Sequence, residues 1–159
     1  MARLHTAEGN RAEAIALLQS TTQANRGRRS KVLASVYREL SQIMLEDGLR
    51  GEALEALLRA FEMDSKNGQL AMQTGKLAMD VENYDVALRV FARVAMMKPA
   101  DGDTTGEAIT HADRADANYC LAYLSYNQGD ARKAKILALK ALSDNAEHAA
   151  AKQLIEQLG

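Results

Sequence analysis

A chain of 159 residues is long enough for one domain with a substantial core. Its net charge of −1 gives no general attraction to nucleic acid or acidic membranes, and its single cysteine excludes an intrachain disulfide. No apolar run approaches membrane-spanning length and the start lacks a signal-peptide core, so a cytoplasmic protein is expected.

From the start, Met1 to about Ala7 leaves room for only half a helix before Gly9-Asn10, which reads as a turn. Arg11 to about Gln23 then carries Ala14, Ile15, Leu17 and Leu18 at helical spacing. Arg26, Arg28, Arg29 and Lys31 cluster around Gly27. They read as a solvated turn whose cations favour the preceding helix C-terminus. The other reading, a patch for an acidic partner or nucleic acid, lacks the interleaved aromatics that stack on bases. A longer helix is expected over Lys31–Glu46, with Gly48 and Gly51 marking the next turn.

Leu70, Ala71, Met72, Leu77, Ala78 and Met79 have helical spacing, and Asp80, Glu82, Asn83 and Asp85 interrupt it as a turn. Val86, Ala87, Val90, Phe91, Val94 and Ala95 form a second amphipathic helix, which Pro99 stops. In Ala100–Arg114, Asp101, Asp103, Thr105, Gly106 and Glu107 faintly resemble a calcium loop. Ala112 stands where the closing bidentate acid is needed, so the segment reads as a surface loop leading into a long helix that reaches Asn127. Gly129-Asp130 turns into a helix over Ala131 to about Ser143, and Ala149–Leu158 carries Leu154, Ile155 and Leu158 opposite Lys152, Glu156 and Gln157.

These elements repeat. Ala53, Leu57 and Ala60 recur 34 residues later as Ala87, Phe91 and Val94, and 47 residues after those as Ala134, Ala138 and Ala141. Ala14 and Leu18 precede Ala53 and Leu57 by 39. A period near 34 with helix–turn–helix units is the signature of tetratricopeptide repeats. The family pattern places Trp, Leu-Gly and Tyr in the first helix, Ala and an aromatic in the second, then Pro. The middle unit answers with Thr74-Gly75, Ala87, Phe91 and Pro99, and the unit before it with Tyr37, Leu40-Ser41, Met44, Ala53 and Leu57. The unit after it carries Asn118, Leu121-Ala122, Ser125, Ala134 and Ala138. On these residues the chain resembles the tetratricopeptide repeat (TPR) family.

The resemblance implies an all-α, right-handed TPR solenoid of antiparallel helix pairs. The parts expected are a partial repeat over 1–28, repeats over 34–67, 68–101 and 115–148, an insertion over 102–114 and a capping helix over 149–159. The first unit is expected to be either naturally truncated or cut from a longer protein, and the second is favoured because an incomplete unit would expose Ile15 or Leu18.

In TPR arrays the first helices line a groove that meets ligand. The register assigns three stripes to it: Arg38, Gln42 and Leu45; Met72, Lys76 and Met79, with Gln73 alongside; and Tyr119, Tyr123 and Tyr126. Tyr and Met are adaptable contact residues, and Tyr is enriched at interface hot spots. Some chaperone-binding members clamp a C-terminal carboxylate with successive cations. This chain has Arg38, Gln42 and Gln73, but Asp116 and Cys120 where the last two cations would stand. The mixed apolar and aromatic lining suits an extended peptide or a partner helix instead.

No catalytic, cofactor or metal site is expected. His5, His111 and His148 share no ligand spacing with Cys120, which reads as a small packing residue. No phosphate-cradling glycine loop or serine elbow is present. The function expected is therefore a non-enzymatic interaction scaffold without nucleic-acid or membrane partners. Its alternatives are a structural homo-oligomer joined through the open N-terminal face, and the regulatory domain of a larger protein.

Overall fold

The computed structural model describes the backbone of residues 2–24 and 30–159, and side chains from residue 12 onward except 22 and 25–29. Among the described residues there are eight α-helices and no strand, which is the expected all-α class. They divide between two compact units, Met1–Lys66 and Asn67–Gly159. The first holds α1 (Ala2–Ala24), α2 (Lys31–Glu46) and α3 (Arg50–Met63). The second holds α4 (Gly68–Asp80), α5 (Tyr84–Ala95), α6 (His111–Asn127), α7 (Ala131–Asp144) and α8 (Ala149–Leu158). Within each unit every helix packs on its neighbour in sequence, the local contact pattern of a helical repeat.

Two expectations change. Gly9-Asn10 is not a turn, because α1 runs unbroken from Ala2 to Ala24. An interior glycine costs a helix roughly 1 kcal/mol but does not end it. The long helix α6 begins at His111, so the last four residues of the expected 102–114 insertion are helical. Arg26, Arg28 and Arg29 of the basic cluster lie outside the described residues.

The turns inside the helix pairs share one geometry. After α2 the Leu49 N–H donates to the Met44 carbonyl at 2.9 Å and Gly48 N–H to Leu45 at 3.0 Å. After α4, Asn83 donates to Ala78 at 2.8 Å and Glu82 to Met79 at 3.1 Å; after α6, Asp130 donates to Ser125 and Gly129 to Tyr126, both at 3.0 Å. Each is a Schellman closure, which needs a left-handed residue just past the helix. Gly48 (φ 75°) and Gly129 (φ 86°) supply it freely, but the same position in the middle pair is Glu82 at φ 59°. A side chain in that region costs about 1–2 kcal/mol. Glu82→Gly is therefore expected to stabilise the protein by about 1 kcal/mol in urea unfolding. A loss of stability would mean that Glu82 makes a compensating contact.

Small residues let the paired helices approach. Ser41, Ala53, Ala87, Ala122 and Ala134 are all fully buried. A Cβ added at Gly75 would lie 2.7 Å from the ring of Phe91, so α4 meets α5 through a missing side chain. On the far side, α8 buries Ala151 and Leu154 and rests Ile155 and Leu158 against the core formed by Ala122 and Ala138.

Candidate protein-binding surface

In the second unit, the segment between α5 and α6 fixes the two helices that carry the surface. Ile109 is buried against Gly68, where an added Cβ would collide with it. Gln69 N–H donates to the Glu107 carbonyl at 3.1 Å, and its Nε2 donates to the Ala108 carbonyl and the Asp113 carboxylate, both at 2.9 Å. Asp113 also completes a capping box with Thr110, so one carboxylate starts α6 and ties it to the first turn of α4. The Thr-x-x-Asp spacing was visible in the sequence; the bond to Gln69, 44 residues away, was not.

The acidic residues of this segment hold its own chain. Asp101 accepts from the backbone N–H of His111 at 3.2 Å and pairs with the His111 ring. Asp103 accepts from the Thr105 hydroxyl and from Ala108 N–H at 3.3 Å. These hydrogen bonds hold both carboxyls below their ordinary range. No group of side chains that could hold a metal ion occurs among the described residues.

The sequence-derived stripes fare differently. In the first unit Gln42 is exposed, and Arg38 and Leu45 are half-buried. In the second, Lys76 is exposed and Gln73 and Met79 are half-buried. Met72 is 2% exposed and does not belong to a contact surface. The reason is that α4 is enclosed on most of its circumference: Leu70, Ala71, Thr74, Leu77 and Ala78 are buried with Met72.

Along α6, Tyr123 and Tyr126 are 39% and 42% exposed, but Tyr119 is committed elsewhere. Its ring packs on the α7–α8 core and lies 5.2 Å, centroid to centroid, from the ring of His148. His148 caps α8 by accepting from Ala151 N–H through Nδ1 at 3.1 Å, which leaves its Nε2 to donate to Asp116 at 2.8 Å. Tyr119 thus joins α8 to α6, and burial raises its phenol above the ordinary range. Its ring still lies 6.4 Å from that of Tyr123, so the tyrosines remain a ladder whose first rung is half-buried.

Cys120 lies on this helix, close enough to Lys76 for the ammonium to act on its thiol. Burial and the Asp116 carboxylate outweigh that cation and push the thiol up to about 11. Such a group is a protonated packing residue at neutral pH, not a nucleophile. Against ~8.5 for an unfolded chain, alkylation at pH 8 should run roughly a hundredfold slower in the native protein than in denaturant. Comparable rates would show that the thiol is open and ionised.

No protein-family model and no curated protein matches the sequence. Solved structures do match. The crystal structure of MamA is 18% identical with a TM-score of 0.62, covering 95% of this chain and 78% of that one. A tetratricopeptide repeat protein from Parabacteroides merdae is 17% identical with a TM-score of 0.64, covering 95% of this chain and 54% of that one. Pseudomonas aeruginosa PilF, also 17% identical, has a TM-score of 0.60 and covers 95% and 61%. With the 34-residue register and the repeated Schellman turns, these likenesses identify the architecture: the chain has the tetratricopeptide-repeat fold.

Proposed function

We propose that the protein is a non-enzymatic interaction scaffold whose second unit takes an extended peptide or a partner helix along the groove that α4 and α6 line. In the second unit the contact residues are Lys76, Met79, Tyr123 and Tyr126, with Gln73 at the edge. The first unit has a surface of its own on α2, where Gln42 is exposed and Arg38 and Leu45 are half-buried. The observation that carries this reading is the exposure of Tyr123 and Tyr126, two large aromatic side chains on a helix whose opposite side buries Leu121 and Leu124. Rigid amphipathic side chains of this kind contribute contact area at little entropic cost.

Chemical-shift mapping tests it. A peptide selected on the protein from a random library should perturb Lys76, Met79, Tyr123 and Tyr126 together. Perturbations confined to α7 would remove the assignment.

A second reading, self-association through the first unit, rests on Leu17 and Val32, which are 68% and 73% exposed. Light scattering over a concentration series decides it. A dimer persisting at low micromolar concentration favours this reading, and a monomer throughout ends it.

A further inference from the structure

An open cleft lies along α6 between α5 and α7, apart from the tyrosine surface. Its volume is about 400 Å³. Its apolar lining comes from Ala92, Ala95 and Met96 at the end of α5, Leu121 of α6 and Leu137 of α7. Asn118 and Arg114 line it as well, and so does Lys140. Such a volume is at the small end of ligand pockets, which run ~300–1,000 Å³.

The polar groups are unevenly satisfied. Arg114 is paired: Nε and Nη2 donate to the Asp144 carboxylate at 2.7 and 2.6 Å, and Nη1 donates to the Met97 carbonyl at 3.4 Å. Asn118 is 5% exposed, and its Nδ2 donates to the Arg114 carbonyl of its own helix at 3.2 Å. Its Oδ1 accepts no hydrogen bond among the described residues. A buried carbonyl left unmade costs stability, so it calls for a donor. Lys140 makes no ion pair among the described residues, and with Arg114 offset by Asp144 it leaves the pocket one net positive charge.

The repeat register says what shape is missing. Asn118 stands where the first unit has Tyr37, 81 residues earlier, and Tyr37 is only 7% exposed. The middle repeat has Ala71 at this position, fully buried; the ring of Tyr37 fills it in the first unit, and at Asn118 a short amide borders an open cleft.

The geometry points to a binding site for the indole of a tryptophan in a partner polypeptide, flanked by acidic residues. Indole carries one N–H donor and no acceptor, which suits Asn118 Oδ1. Its faces suit the apolar walls, the Met96 thioether and the cations of Arg114 and Lys140. Acidic flanks answer the net positive charge. The site is separate from the peptide surface proposed above and does not rest on it.

The chain contains no tryptophan, so indole fluorescence reports only an added probe. The probe is an acetylated, amidated tripeptide with tryptophan between two aspartates. Saturable, blue-shifted emission is expected with the wild-type protein. Affinity should fall about tenfold in Asn118→Leu, which keeps side-chain volume but removes the acceptor. It should also fall in Ala92→Phe, which blocks the cavity from an exposed position and serves if the first variant does not fold. The assignment is overturned by an absence of saturable binding, or by unchanged affinity in a folded Asn118→Leu or Ala92→Phe. Equal binding of the tyrosine tripeptide or of N-acetyltryptophanamide overturns it too, the first denying an indole site and the second a peptide one. Loss of binding in Tyr123→Ala alone would move the indole to the tyrosine surface and overturn it equally.

Discussion

Phe91→Ala is expected to cost about 3–5 kcal/mol of stability, towards the upper end of that range. The ring is fully buried, and its neighbour across the helix pair is Gly75, which has no side chain to move into the space. Collapse would have to come from the backbones of α4 and α5. Their approach is held at one end by the Schellman turn through Glu82 and Asn83. The cavity should therefore stay open, and an open cavity is what makes large-to-small substitutions expensive. Urea unfolding measures the loss. A cost below about 1 kcal/mol, typical of a surface change, would mean that the α4–α5 packing is not as described.

Leu121→Ala, two residues before Tyr123 on α6, should cost about 2–5 kcal/mol. The lower half of that range is expected, because Leu121 also borders the cavity between α5 and α7 and part of its surface faces empty space already. Tyr123→Ala should cost less than about 1 kcal/mol, since the residue is 39% exposed. Thermal unfolding of the two variants side by side is the check. Equal losses would place Tyr123 in the core and withdraw it from the binding surface.

Much of the fold was legible because its contacts are local. Ser30 and Asn67 cap their helices through the N–H groups of Leu33 and Leu70, and the Gly48 and Gly129 turns follow the 34-residue register or its 13-residue extension. The spacing predicts a helix over about Lys31–Glu46, and α2 has those limits. Gly9-Asn10 misled because a turn residue breaks a helix only when the chain gains from turning there. At Met72 the helical spacing was read correctly, but a face exposed in a two-helix unit is not exposed on a helix buried nearly all round. Tyr119 was assigned by spacing alone, and spacing could not show that His148 would bring α8 against it. The cavity at Asn118 did leave a trace, a polar residue where the register calls for an aromatic. Without coordinates it was only a weak match to the repeat.

The claim that Tyr123 and its neighbours receive a partner polypeptide is tested most directly by calorimetric titration. The ligand is a peptide selected on the wild-type protein from a random library, titrated into wild type and into Tyr123→Ala at matched folded concentration. A loss of about 2 kcal/mol, or roughly thirtyfold in Kd, is expected, with the melting temperature nearly unchanged. Equal affinity for the two proteins would contradict it.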